Sequence, residues 1–232
     1  MTIPWSYSSL TTFEKCPMAL KFQKIDKIDD GLDNQEHIIV GKKMHEALEN
    51  WLIAKKKGED YEYPERASKI REAIDKVIEK AGIENCIPEK RYAFSKDFEQ
   101  SIDFFDKSVW CRAVVDLEAE KDNIAWVIDY KSGKYSSYST FSYMGQLQLY
   151  AVIKFMSSPH IDEVRTSLFY AKDGKILNKI YRRNKLLPLL KLFIERGNKM
   201  FFATEFPPSP SKSNCKFCAY RKNTCEYAHE SY

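Results

Sequence analysis

Val, Ile, Trp and Ala crowd two neighbouring stretches, residues 109–119 and 124–131, and between them stands Asp122-Asn123, a pair suited to a two-residue hairpin turn. Runs joined this tightly pair as adjacent antiparallel strands, which fixes the centre of the fold before anything else is read. A turn at Asp122-Asn123 sets Asp116 directly opposite Asp129, with Cβ atoms about 5 Å apart. One residue of slip would undo that register.

Two carboxylates so placed repel by roughly 3 kcal/mol at about 5 Å and an effective dielectric of about 20. The arrangement calls for a cation between them or a proton shared by them. The alternative is a pair of solvated aspartates on an exposed face. The flanking Val114, Val115, Val127 and Ile128 argue instead that the strands are largely buried. Oxygen ligands of this kind suit magnesium or manganese. Lys131 lies two residues beyond Asp129 and so shares its face, where it could stabilise developing negative charge or position a water.

Helical signals surround the hairpin. Ser8 and Ser9 precede a short helix over residues 10–16. Gly41 to Leu52 presents Met44, Ala47, Leu48 and Trp51 on one face, and Arg66 to Lys80 does the same with Ile70, Ala73, Ile74, Val77 and Ile78. Both belong to a helical portion over 35–85. Phe141 to Met156 returns to helical spacing. Arg165–Ala171 and Lys175–Arg182 form a second hairpin around Asp173-Gly174. Leu186 to Phe202 is a helix with Pro188 in its first turn, and Pro207, Pro208 and Pro210 end regular structure. The order predicts a mixed α/β core in a single domain over 1–232.

At 232 residues and 44% hydrophobic, the chain can bury a substantial core. Its net charge of +4 permits a nucleic-acid partner without demanding one. Lys55-Lys56-Lys57 and the run from Tyr181 to Lys185 read either as solvated faces or as phosphate contacts. No apolar run is long enough for a bilayer, and Met1 leads straight into polar and aromatic sequence, so a cytoplasmic setting is expected. No Gly-x4-Gly-Lys-Ser/Thr loop occurs, so any unwinding of a duplex would fall to a partner.

In a reducing compartment, clustered cysteines point to metal rather than to disulfides. Cys215, Cys218 and Cys225 are spaced Cys-x2-Cys-x6-Cys, and Cys16 is the best candidate for a fourth ligand. Zinc and an iron–sulfur cluster both accept four thiolates, and spacing does not separate them. Cys86 and Cys111 have no partner spacing and read as small buried hydrophobes.

His45 follows Gly41 by four residues, and Gln146 and Tyr150 are four apart on one helix face. Each signal is weak alone, but their order along the chain is informative. Gly41-Lys42-Lys43-Met44-His45, Val115-Asp116-Leu117, Asp129-Tyr130-Lys131 and Gln146-Leu147-Gln148-Leu149-Tyr150 together resemble the PD-(D/E)xK nuclease superfamily in its RecB-like branch. The resemblance implies a restriction-endonuclease-like core. It implies that His45, Asp116 and Asp129 are metal ligands with the Tyr130 carbonyl, that Lys131 is the catalytic lysine, and that Gln146 and Tyr150 support the site and bind DNA. Asp129 stands where many relatives carry Glu. Glu46 and Glu118 are nearby carboxylates, and Glu118 is placed to assist a second metal.

The cysteines, with the Ser-x-Ser-x-Leu-x5-Cys-Pro run ending at Cys16-Pro17, resemble the [4Fe-4S] staple of CRISPR-associated and AddB-type exonucleases. That likeness implies that residues 1–25 and 205–232 are pinned together around Cys16, Cys215, Cys218 and Cys225, with zinc as the rival metal. The activity expected is magnesium- or manganese-dependent trimming of single-stranded DNA ends, on family precedent including 5′ to 3′ polarity, in repair, recombination or CRISPR-type processing. The competing expectations are a DNA-binding adaptor or a structure-specific endonuclease within a larger recombination assembly. Trp5, Tyr7, Tyr135, Tyr138 and Tyr143 are candidates to stack on bases, with packing the alternative for most of them.

Overall fold

The computed structural model describes residues 2–29, 31, 35–222 and 224–229, with the side chains of Tyr138 and Ser139 outside that description. The hairpin predicted at Asp122-Asn123 forms in the predicted register. Strands β2 (Cys111–Lys121) and β3 (Ile124–Lys131) pair antiparallel from Lys121↔Ile124 to Leu117↔Ile128. Asp122 takes the positive φ of 54° that such a tight turn requires, which Asp tolerates. The ladder stops one step short of Asp116 and Asp129, so the two lie just where β2 peels away from β3.

The second hairpin also forms, as β4 (Glu163–Tyr170) and β5 (Ile176–Arg182), with Gly174 at φ 71°. A fifth strand, β1 (Cys86–Phe94), not expected from the residue pattern, pairs antiparallel with β2. Pro88 and the charged Glu89-Lys90-Arg91 interrupt the alternation that marks a strand, and an edge position tolerates both. The order β1-β2-β3-β4-β5, with only β3 and β4 parallel, makes the mixed sheet expected.

Helices cover both faces. On one, α3 (Glu36–Lys57) and α4 (Arg71–Ala81) bury Met44, Leu48, Trp51, Ile74 and Ile78 against Leu117, Ala119, Ile128 and Tyr130. Both boundaries moved from expectation. α3 runs beyond residues 41–52 to a left-handed Gly58, and residues 65–70 form a 3₁₀ turn before α4. On the other face, α5 (Ser137–Ser157) and α6 (Leu186–Phe201) pack Leu147, Ala151, Phe193 and Met200 on Val127 and Leu168. α5 makes the crossover between the parallel strands β3 and β4.

At the N-terminus, α1 (Tyr7–Lys15) is capped by Ser6 and not by Ser8 or Ser9; Ser6 and Ser9 form a reciprocal capping box. Cys16 breaks the chain between α1 and α2 (Pro17–Lys24). Trp5 is fully buried, meeting Trp110 and Phe98 edge-on. It therefore belongs to the core and is not available to stack on bases. Cys86 and Cys111 are buried as expected. Among the described residues, no helix is long and apolar enough to cross a membrane.

Candidate metal centre

Strand pairing fails at one place, and the polar residues gather there. The β1–β2 ladder pairs Pro88↔Leu117 and Lys90↔Val115 but skips Glu89 and Asp116 between them. Glu89 has a φ of 46°, in the left-handed region that a non-glycine residue enters at a cost of order 1–3 kcal/mol. Inward faces change over at this point. Cys86 and Leu117 pack with α3 and α4, whereas Tyr92, Phe94, Ala113 and Val115 pack with α5 and α6. Strict alternation would keep Leu117 and Val115 on one face. The fault leaves Glu89 and Asp116 side by side, and Asp129 close by across the split.

Hydrogen bonds that a continuous ladder would have made are supplied by side chains. The Tyr130 N–H donates to Asp116 Oδ2 at 2.6 Å, and Tyr150 donates its hydroxyl to the Val114 carbonyl at 2.8 Å. From α3, His45 Nδ1 stands 3.4 Å from Asp116 Oδ1, its ring edge-on to Tyr130. Gly41, one turn earlier, lets Ser132 come close; a Cβ there would lie 3.2 Å from the serine Oγ. Ligand atoms of His45, Glu89 and Asp116 all fall within 4.8 Å of one another.

Lys131 is held on three sides. Its ammonium lies 2.5 Å from Asp129 Oδ2, donates to Gln146 Oε1 at 3.3 Å and sits 4.1 Å from the centre of the Tyr143 ring. Gln146 in turn donates to the Tyr150 hydroxyl at 2.6 Å. Asp129 is 2% exposed, and the Lys131 ammonium is the cation against its Oδ2. The carboxylates of Asp116 and Glu89 with the His45 imidazole, and the buried Asp129 carboxylate nearby, form a donor set that fits a hard divalent cation such as magnesium or manganese.

Electrostatics agree. Burial, with repulsion from Asp116, pushes Asp129 up to about 6 even though Lys131 pulls it down. Burial and Asp116 likewise push Glu89 up to about 7. Burial disfavours a proton on His45, but its hydrogen bond to Asp116 and the surrounding carboxylates outweigh that and raise its pKa. Lys131, opposed by burial, is raised by Asp129. The cluster holds more negative charge than its own cations neutralise, the condition in which a bound metal is most strongly favoured.

His45, Glu89 and Asp116 open onto a cleft of about 1120 Å³. Alongside Glu46, Glu49 and Glu65, it is lined too by Lys42, Arg66, Lys69, Lys134 and Lys172. These, rather than the basic runs singled out in the sequence, face the centre. Lys55 pairs with Asp75, and Arg183 donates to the carbonyls of Phe155, Ser158 and Ile161. Tyr143 lines the cleft and Tyr135 is exposed beside it; Tyr7 is tied to α5 through the Ser142 carbonyl. The Tyr138 side chain lies outside the described residues.

His45, Asp116, Asp129, Tyr130, Lys131, Gln146 and Tyr150, all picked out in the sequence, are thus brought together. Glu118 is not: it is buried against Lys154 and Tyr92, away from any position to assist a second metal. Glu89 was missed. The clue to it would have been a strand at 86–94, and its left-handed backbone is invisible in sequence.

A separate recess gathers Cys16, Cys215, Cys218 and Cys225, walled by Phe22, Tyr220 and Tyr227. α7 (Lys212–Cys215) delivers the first of the C-terminal three. Cys16 Sγ accepts from the Ser209 N–H, and Cys215 Sγ from the His229 N–H.

Comparison with known proteins places this architecture. The crystal structure of SSO0001 resembles it with a TM-score of 0.51 at 11% identity, over 97% of this chain and 87% of that one, a likeness of fold. The crystal structure of a phage-related exonuclease from Haemophilus somnus 129PT covers 87% of this chain and 94% of its own, at 12% identity, but its TM-score of 0.34 carries no argument. No curated protein matches. The PD-(D/E)XK nuclease superfamily is matched from residue 4 to residue 226, and the chain accordingly belongs to that superfamily of hydrolytic, divalent-metal-dependent nucleases.

Proposed function

We propose that this nuclease hydrolyses phosphodiester bonds of single-stranded DNA from an end, using magnesium or manganese held by His45, Glu89, Asp116, Asp129 and the Tyr130 carbonyl. The observation that carries this reading is the cluster of His45, Glu89 and Asp116, whose ligand atoms lie within 4.8 Å of one another in a cleft also lined by Lys42, Arg66, Lys69, Lys134 and Lys172. A metal held by the carboxylates would let a phosphate approach them, and the cleft's lysines and Arg66 are placed to meet flanking phosphates. Bound there, the cation supplies Lewis acidity to the scissile phosphate and to the attacking water. Lys131, steadied by Asp129, Gln146 and the Tyr143 ring, places its ammonium where charge builds on the phosphate oxygens.

The preference for a single strand rests on the resemblance to RecB-like exonucleases. Tyr135 and Tyr143 offer faces for bases. Polarity of 5′ to 3′, a role in repair, recombination or CRISPR-type processing, and a helicase or recombination partner rest on the resemblance to RecB-like enzymes. The purified chain should degrade linear single-stranded DNA with manganese present, and Lys131→Ala and Asp129→Ala should not. Cleavage of closed circles would favour an endonuclease, and binding without cleavage would leave an adaptor.

The four-thiol recess takes a [4Fe-4S] cluster rather than zinc. That choice rests on the likeness of Cys16, Cys215, Cys218 and Cys225 to the staple of CRISPR-associated and AddB-type exonucleases, and one recess gathers all four. Backbone N–H groups directed at Cys16 and Cys215 suit sulfurs carrying negative charge. Anaerobically purified protein should be brown; a colourless protein with one zinc per chain refutes the assignment.

A further inference from the structure

One cluster of buried ionic groups takes no part in the site described above. Lys154 of α5 is 2% exposed and donates to Glu118 Oε1 of β2 at 2.9 Å; Glu118 is 1% exposed. The same ammonium meets Glu120, which is also 3.2 Å from His160, and the Tyr92 hydroxyl donates to Glu118. Hydrophobic residues of equal volume in such a place are often as stabilising or more so. The network therefore needs an explanation other than stability.

Its position supplies one. Gln146, Tyr150 and Lys154 are spaced four apart, so they form one stripe along α5. Each member reaches a polar group of the sheet: Lys131 by Gln146, the Val114 carbonyl by Tyr150, and Glu118 by Lys154. The rest of that helix face is apolar, with Leu147, Ala151 and Phe155 in the core. Apolar packing tolerates a helix sliding along a sheet, whereas a buried ion pair has one geometry and no solvent to replace it. Glu118 is two residues from Asp116 on the same strand, and Lys154 is two turns, about 12 Å, from Gln146 on the same helix.

We propose that Lys154 is a positioning residue for cleavage: its buried pair with Glu118 fixes where α5 lies along β2, and so where Gln146 meets Lys131. The inference rests on reading Lys131 as part of the nuclease site. The test is the paired variant Lys154→Met/Glu118→Gln, which keeps volume and leaves no buried charge alone. The expected result is a folded protein with unchanged manganese affinity and unchanged KM for linear single-stranded DNA, but kcat lowered at least about tenfold, as small misplacements at reacting centres do. Glu118→Gln alone, in which Lys154 keeps Glu120, should fall between the pair and the wild type. It serves as the decisive variant if the pair fails to fold. Wild-type kcat in either folded variant overturns the positioning role. An inactive wild-type chain overturns the nuclease reading and takes this role with it; a chain that cuts DNA, loses cutting on Lys131→Ala and keeps full kcat in the variants overturns the positioning role only.

Discussion

Replacing Asp129 by Asn asks whether the site is strained in the way its burial implies. Asn has nearly the shape of a protonated Asp and cannot ionise. In the folded protein Asp129 is pushed from its usual 3.8 to about 6, a shift of roughly two units, or about 3 kcal/mol at about 1.36 kcal/mol per unit. The group is almost fully buried, so solvent screening does little to reduce this. Because the folded pKa is the higher one, the protonated carboxyl's favourable contribution is complete below about pH 4 and is lost as the pH rises through about 6. At pH 7.5 without metal, Asp129→Asn should therefore be more stable than the wild type by about 3 kcal/mol, or roughly 6–12 °C in Tm for a chain of this size. Near pH 4 the two should melt together. Manganese at about 100 times its Kd should add about 2.7 kcal/mol to the wild type and almost nothing to the variant, which should not cleave. Thermal melts with EDTA and with manganese at both pH values measure all of this. A variant less stable than the wild type at pH 7.5 in EDTA would refute the argument from buried charge. Equal stabilisation by manganese would remove Asp129 from the ligand set.

Glu89→Gln should weaken manganese binding by roughly 10–100-fold by calorimetry without lowering the metal-free Tm, since the carboxylate it removes is already disfavoured at neutral pH. Tyr143→Leu should lower kcat about 3–30-fold through loss of the cation–π contact with Lys131, while Tyr143→Phe, which keeps the ring face, should stay near wild type. Gly197→Ala places a Cβ 2.5–2.7 Å from the Trp5 indole, which Phe98 and Trp110 hold in place. It should cost about 1–3 kcal/mol in chemical denaturation with no change in the DNA cleaved per folded molecule.

The hairpin at Asp122-Asn123 was legible because everything that makes it is local: a tight turn, β-rich flanks and the alternation of sides. From it followed the register that brings Asp116 near Asp129. His45, Lys131, Gln146 and Tyr150 were legible for a related reason, since their order along the chain survives whatever the loops between them do. For Trp5 the choice between packing and stacking was not legible, because an aromatic near a terminus looks the same in sequence whether it caps a core or faces solvent. Ser6, not Ser8 or Ser9, caps α1, a difference of one turn that local preference does not resolve.

The sequence by itself thus determined the α/β class, the central strand pair and most of the polar residues of the site. Only the tertiary structure decided that β1 joins the sheet at its edge, that Glu89 adopts a left-handed backbone opposite Asp116, and that the sheet's inward faces change over there. It also decided that Glu118 turns to Lys154 and not to the metal site. These outcomes depend on which strand lies beside which and on which carboxylate loses its water. Such long-range facts are set by packing across the sheet, and no stretch of the chain read alone contains them.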